Sequence, residues 1–150
     1  MYFKQSSNSK YSSGTKGTWE GKCKFNKANK ASIGYAPILG FVKSPKGTEE
    51  WLQNAIATKG PVAVAINVVS SFVSYSSGVY FDSDCTKKNK NYVGSHAIVA
   101  IGYGTDVALG DYWLMRNSWG DKWGEQGYIR MARNKGNLCD LAKFAIYPRV

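Results

Sequence analysis

Histidine is almost missing from this sequence. Of 150 residues only His96 carries an imidazole, so any histidine acid–base chemistry near neutral pH runs through that one side chain. Cysteine is scarce too. Cys23, Cys85 and Cys139 are the whole set, and none lies in a C-x-x-C pair, which argues against structural zinc and thioredoxin-type chemistry. No metal or other cofactor is expected. The odd count leaves at least one thiol without an internal partner. No apolar run approaches the length of a membrane span, and residues 1–7 show no hydrophobic segment of signal-peptide type. No membrane partner is therefore expected, and, with Met1 taken as the true start, the missing signal points to the cytosol. Acidic residues are few, 10 against 20 Lys and Arg, for a net charge of +10. Much of that charge sits at Lys4, Lys10, Lys16, Lys22, Lys24, Lys27 and Lys30, where Glu20 is the sole acid. A basic arm of this kind can hold nucleic acid or an acidic surface. No zinc-ligand spacing or RNP-like aromatic motif accompanies it, so the arm reads as a solvated loop and no nucleic-acid partner is expected.

What is present supports one domain with a modest core. Apolar residues make up 43% and charged residues 20%, a globular rather than a disordered balance. No repeat and no dividing linker is visible. Residues 1–20 are rich in Ser, Gly, Lys, Asn and Thr and read as an irregular basic segment. Residues 30–35 and 38–42 are candidate strands. Thr48 is a helix N-cap, with Glu49 and Glu50 in the first turn; Trp51, Leu52, Ala55 and Ile56 share a face, and Gly60-Pro61 ends the helix. Residues 61–69 read as a buried strand, 70–75 as a helical turn, 78–81 as a brief strand and 82–91 as a polar loop. Residues 97–103 and 112–116 read as a hairpin around a turn at 104–110. Residues 127–133 form a further strand, 138–142 a helical turn and 145–147 a last strand. One helix with six or seven strands predicts an α+β fold, with a mainly antiparallel, curved or barrel-like sheet and the helix packed at one end.

Chemistry concentrates between Gly94 and Gly127. This stretch holds the single histidine and three tryptophans, Trp113, Trp119 and Trp123, of the five in the chain. His96 stands at the mouth of an apolar strand, where an imidazole reaches solvent and can shuttle protons. A lone histidine is more often a satisfied structural residue. If the two strands pair, Asn117 comes near His96, and its amide oxygen can fix the tautomer and aim the other ring nitrogen. Trp119 could cover that bond and exclude water. Spacing alone favours an ordinary core or turn role for Trp119 and Trp123.

The order of the motifs adds to this. His96-Ala97, then Ile101-Gly102-Tyr103-Gly104, then Tyr112-Trp113-Leu114-Met115-Arg116-Asn117-Ser118-Trp119-Gly120, then Trp123-Gly124-Glu125-Gln126-Gly127-Tyr128-Ile129 resembles the C-terminal half of papain-family cysteine proteases, in particular the cathepsin L-like group. The likeness extends back through Gly60-Pro61-Val62-Ala63-Val64-Ala65-Ile66 and Gly78-Val79-Tyr80, and forward to Tyr147-Pro148-Arg149-Val150, and so covers about residues 21–150. The resemblance implies a domain at residues 21–150 like the sheet-rich right-hand domain of these enzymes, with His96 and Asn117 catalytic. It implies that Trp119 shields their hydrogen bond and that Trp123 lines the leaving-group side of the cleft. Ala65, Gly94, Ala97 and Phe144 correspond to a substrate pocket; Phe144 stands where the group has a small residue, which implies a shallower pocket. Ser95 departs from the acidic or amide residue common before the histidine. Cys85 and Cys139 match a family disulfide, and Cys23 matches a cysteine whose partner lies in the other half, which leaves it unpaired here.

The family nucleophile lies in a Cys-Gly-Ser-Cys-Trp type motif roughly 130 or more residues before the histidine. Counting back from His96 passes Met1, and no such motif occurs. The oxyanion glutamine is missing as well; Gln5, Gln53 and Gln126 have no matching context. The resemblance thus implies part of an endopeptidase that is inactive alone, its nucleophile-bearing N-terminal domain absent. The alternative is a non-catalytic half-protease that binds peptides, an inhibitor or the complementary domain. The partners implied are a peptide or protein substrate, a protease inhibitor and the missing domain, and the location implied is lysosomal or extracellular.

Overall fold

The computed structural model describes residues 38–87 and 94–150. The strand expected at 30–35, the basic segment 1–20, the boundary at residue 21 and the unpaired Cys23 lie outside the described residues.

The single long helix among the described residues, α1 (Glu49–Lys59), follows its local signals. Thr48 is extended and its side chain accepts from Trp51 N–H, Glu49 and Glu50 occupy the first turn, and Gly60 at φ 103 ends it. A helix capped this way gains about 1 kcal/mol over one begun by alanine. Leu52, Ala55 and Ile56 are buried, and Trp51 stacks on Tyr147 with ring centroids 5.9 Å apart. Glu49 has a further role beyond its favourable place at the dipole. Its carboxylate accepts hydrogen bonds from the Trp113 indole at 3.2 Å, Asn134 N–H at 2.7 Å and Asn137 N–H at 2.6 Å. The helix start is thereby fastened to the sheet and to the loop before the C-terminal strand.

Among the described residues seven strands form one sheet in the order β1-β7-β2-β4-β5-β6-β3. They are β1 (Gly40–Lys43), β2 (Val62–Ile66), β3 (Val79–Tyr80), β4 (His96–Asp106), β5 (Gly110–Arg116), β6 (Tyr128–Ala132) and β7 (Ile146–Arg149). All pairs are antiparallel except β3 with β6. The fold is α+β with a mainly antiparallel sheet, as the pattern of elements implies. Among the described residues the sheet stays open, with β1 and β3 as its edges, since a two-residue β3 joined in parallel offers little ladder for closure.

Several boundaries shift. The β4–β5 hairpin is longer than its apolar residues suggest, because Gly104, Thr105 and Asp106 pair with Tyr112, Asp111 and Gly110. Gly104 permits this: a Cβ there would sit 2.7 Å from the Tyr112 hydroxyl, so the tyrosine lies across the bare backbone. The ladder slips between Ala100 and Gly102, a bulge that bends the hairpin. The expected loop at 82–91 contains a short helix, α3 (Asp84–Lys87), and 70–75 contains α2 (Ser70–Val73). Residues 138–142 supply a 3₁₀ turn at Leu138–Asp140. The expected strand 61–69 is shorter and not buried on both faces: Val62, Val64 and Ile66 are buried, Ala63 is exposed and Ala65 is half-buried. Alternation is hidden in the sequence because both faces carry apolar residues.

Cys85 and Cys139 form a disulfide across 54 positions, tying α3 to the 3₁₀ turn. Both are fully buried, in a core with Phe72, Trp113, Met115, Ile129, Met131 and Leu141. No helix among the described residues is long and apolar enough to cross a membrane.

Candidate functional site: a histidine–asparagine pair under an indole

His96 is the first residue of β4 and Asn117 directly follows β5. In an antiparallel hairpin these positions share the open end, so the two side chains meet. His96 Nε2 lies 2.8 Å from Asn117 Oδ1. The same oxygen accepts from Ser118 N–H at 2.8 Å. An amide oxygen can only accept, so Nε2 carries the proton. In the neutral ring the lone pair is then on Nδ1, which has no hydrogen bond among the described residues. Asn117 is 3% exposed, and its buried Nδ2 has no acceptor among the described residues.

Trp119 covers this pair. Its ring lies 4.8 Å from the imidazole, tilted by 31°. Phe72 supports the indole from α2, edge-on at 5.7 Å, and also packs against Trp123 at 5.2 Å. Trp123 crosses Trp119 at 5.3 Å and donates its indole N–H to the Val73 carbonyl at 2.9 Å. The aromatic shell lowers the local dielectric and strengthens the His–Asn bond electrostatically. Phe72 is a residue that sequence reasoning missed. It lies in a serine-rich turn with no motif around it.

The loop carrying Trp119 and Trp123 is held by charge. Glu125 binds Arg130 through both carboxylate oxygens, Nε to Oε2 at 3.0 Å and to Oε1 at 3.3 Å and Nη2 to Oε1 at 2.8 Å, and accepts Gly78 N–H at 2.9 Å. Arg130 reaches Asp106 as well, at 2.9 Å. The Arg130 guanidinium holds the Glu125 carboxyl below its ordinary value, and Glu125 in turn raises Arg130 further above its already high one. The sequence signals this role of Glu125 only through its acid–x–x–x–x–arginine spacing to Arg130.

Of the four expected pocket residues, three come together. Ala65 and Ala97 are cross-strand partners. Gly94, at φ +47, lies so close to Ala65 that a Cβ would stand 2.6 Å from the alanine Cβ. Ser95 secures this corner: its N–H donates to Ile66 O, and its hydroxyl accepts from Val68 N–H, both at 2.9 Å. Phe144 lies beyond, half-buried before β7. It sits in the turn that precedes Ile146, the residue that pairs with Ala63. Lys43 Nζ is 4.9 Å from its ring centroid. No group of three or more His, Cys, Asp or Glu among the described residues could hold a metal ion.

Residues 2–149 match the family described as papain family cysteine protease. The chain is 50% identical over 123 residues to cathepsin L of Sarcophaga peregrina, covering 81% of this chain and 35% of the relative. It is 45% identical over 132 residues to cathepsin S of Bos taurus, covering 87% and 37%. The digestive procathepsin L2 proteinase of Tenebrio molitor larval midgut superposes with a TM-score of 0.72 at 40% identity, covering 87% of this chain and 38% of that one. The bromelain protease of Ananas comosus, solved with the E64 inhibitor, gives 0.65 at 36% identity, covering 75% and 51%. The chain spans little more than a third of the length of the curated relatives it matches. With the motif order and the open antiparallel sheet, these likenesses establish that the chain belongs to the papain family of cysteine proteases, in its cathepsin L-like group.

Proposed function

We propose that residues 21–150 form the histidine- and asparagine-bearing half of a cathepsin L-like endopeptidase, and that the nucleophilic cysteine and the oxyanion glutamine come from polypeptide outside this sequence. His96 is the proton carrier. With Nε2 tied to Asn117, Nδ1 takes the thiol proton, giving a thiolate–imidazolium pair. The thiolate adds to the peptide carbonyl carbon. Nδ1–H then passes its proton to the departing amine as the C–N bond breaks, leaving a thioester. Water, deprotonated by the same nitrogen, hydrolyses that thioester and restores the thiol. Asn117 orients the ring throughout, and Trp119 keeps water from the His–Asn bond. Ala65, Gly94, Ala97 and Phe144 form the pocket for a substrate side chain, and Trp123 borders the leaving-group side.

The observation that carries this reading is the 2.8 Å bond from His96 Nε2 to Asn117 Oδ1, which leaves Nδ1 for a thiol. The disulfide supports an oxidising setting, lysosomal or extracellular. The partners on this reading are peptide and protein substrates, active-site inhibitors and the complementary domain.

The test has two arms. The purified chain is incubated with a fluorogenic dipeptide substrate and a thiol-directed epoxide, with no turnover and no active-site labelling expected. It is then combined with a nucleophile-bearing N-terminal half from a cathepsin L-like relative, with epoxide-sensitive turnover expected. Robust turnover by the chain alone would overturn the division of labour. Tight peptide or inhibitor binding without turnover in either arm would favour a binding module.

A further inference from the structure

We propose that Glu125 is a positioning residue for the His96–Asn117 pair. The inference gains its catalytic meaning from the function proposed above, but its geometry stands apart from it. The segment from Asn117 to Tyr128 carries the amide that binds the imidazole and the indole that covers it. Its ends are held by backbone bonds: Asn117 N–H to Gly127 O at 3.0 Å, and Glu125 and Tyr128 to each other at 2.9 and 3.1 Å. The middle rests on Trp123, which is anchored to Val73 O and leans on Phe72 and Tyr75. Glu125 is the loop's ionic anchor. Its carboxylate grips the Arg130 fork on β6 and the Gly78 N–H at the start of β3. The Tyr75 hydroxyl donates to Gly78 O at 2.7 Å, so the same clasp braces the aromatic wall behind Trp123.

The physical route runs from carboxylate to imidazole through two rings. Removing the carboxylate releases Gly78 and one side of Arg130, which keeps Asp106. Trp123 then loses the fixed loop on its C-terminal side. Trp119, which crosses Trp123 at 5.3 Å and lies 4.8 Å from His96, loses its backing. The result is a hydrated and wobbling His96–Asn117 bond in a domain that stays folded. A two-pronged, partly buried arginine–carboxylate pair is the kind of ion pair that holds geometry rather than only adding attraction.

A single histidine makes the test direct, because every imidazole signal belongs to His96. The chain, Glu125→Ala, Glu125→Gln, Arg130→Lys and Asp111→Asn are compared by proton–nitrogen magnetic resonance well below each melting temperature. Asp111 pairs with Arg133 and Asn134 at the far end of the hairpin, so its variant controls for general destabilisation. In the parent, the Trp119 ring is expected to shift the ring C–H protons upfield, and the bond to Asn117 to slow exchange of Nε2–H with solvent. Glu125→Ala is expected to lose most of the upfield shift and to exchange Nε2–H about tenfold faster or more, the scale of a lost charge-assisted hydrogen bond. Glu125→Gln, which can still accept from Gly78, falls between. Should Glu125→Ala not fold, Arg130→Lys, which keeps the charge and loses the fork, carries the test. Unchanged His96 signals in the Glu125 and Arg130 variants would overturn the proposal, as would an equal change in Asp111→Asn. These readouts need no turnover. A resonance response with an inactive reconstituted enzyme would count against the protease reading alone.

Discussion

His96 and Asn117 stand on the two arms of one hairpin and join at its open end, with Nε2 2.8 Å from Oδ1. Replacing Asn117 with alanine leaves the ring free to turn and to change tautomer. In an enzyme reconstituted with the nucleophile-bearing half, kcat is expected to fall by about 10²- to 10⁴-fold, with little change in KM. The isolated variant should stay folded and lose about 1–3 kcal/mol in urea denaturation. Full activity in the variant would remove Asn117 from the mechanism.

Glu49→Ala should be costlier than a usual surface change. Three donors, the Trp113 indole and the Asn134 and Asn137 N–H groups, lose one carboxylate. The expected loss is about 3 kcal/mol, seen as a lower urea midpoint with an unchanged slope. A shift within experimental error would mean that water replaces the carboxylate at all three sites.

The Cys85–Cys139 bridge closes a loop of 54 positions. On the loop-entropy account, replacing both cysteines with serine destabilises the domain by about 4 kcal/mol. Thermal unfolding in non-reducing buffer measures this. Equal melting temperatures for parent and double variant would contradict it.

Stability should fall on the acid side. Asp106 lies below the ordinary carboxylate range because the Leu109 and Ala108 N–H groups and Arg130 stabilise its anion. The Thr105 hydroxyl and the Asn134 amide do the same for Asp111, and Arg130 does so for Glu125. Each folded value is depressed, so the unfolded chain takes up protons first as the pH falls. The stabilisation is present above about pH 4, where unfolded carboxylates ionise, and is lost as the pH drops through the folded values. Tyr75 and Tyr80 are pushed up mainly by burial, so stability should also decline above about pH 10. Urea midpoints against pH test both limbs. Asp106→Asn with Glu125→Gln should flatten the acid limb, and a limb unaffected by the pair would refute the assignment.

Much of this architecture is legible in residue order. The Thr48 cap, the acidic first turn and Gly60-Pro61 mark α1 because those signals act within one turn of chain. The hairpin that joins His96 to Asn117 is legible for the same reason. Its true length is not: Gly104-Thr105-Asp106 looks like a turn until Tyr112 is seen lying across Gly104. Phe72 is invisible as a site residue, since its importance comes from three rings brought to it from distant positions. The reach of Glu49 to Asn137 spans 88 residues. Such pairings depend on tertiary geometry, which local propensity does not encode. The openness of the sheet is of this kind too, being set by how few residues of β3 find a partner.

The pairing of β1 with β7, from Gly40–Arg149 to Lys43–Ile146, has a bearing on how the molecule is made. A nascent polypeptide cannot dock residues 40–43 until residues 146–149 leave the ribosome, so the rim of the sheet is assembled last and against the largest entropy of closure. Cutting β7 away would release β1 and bare the flank of β2 together, opening two sticky borders for intermolecular pairing at one stroke.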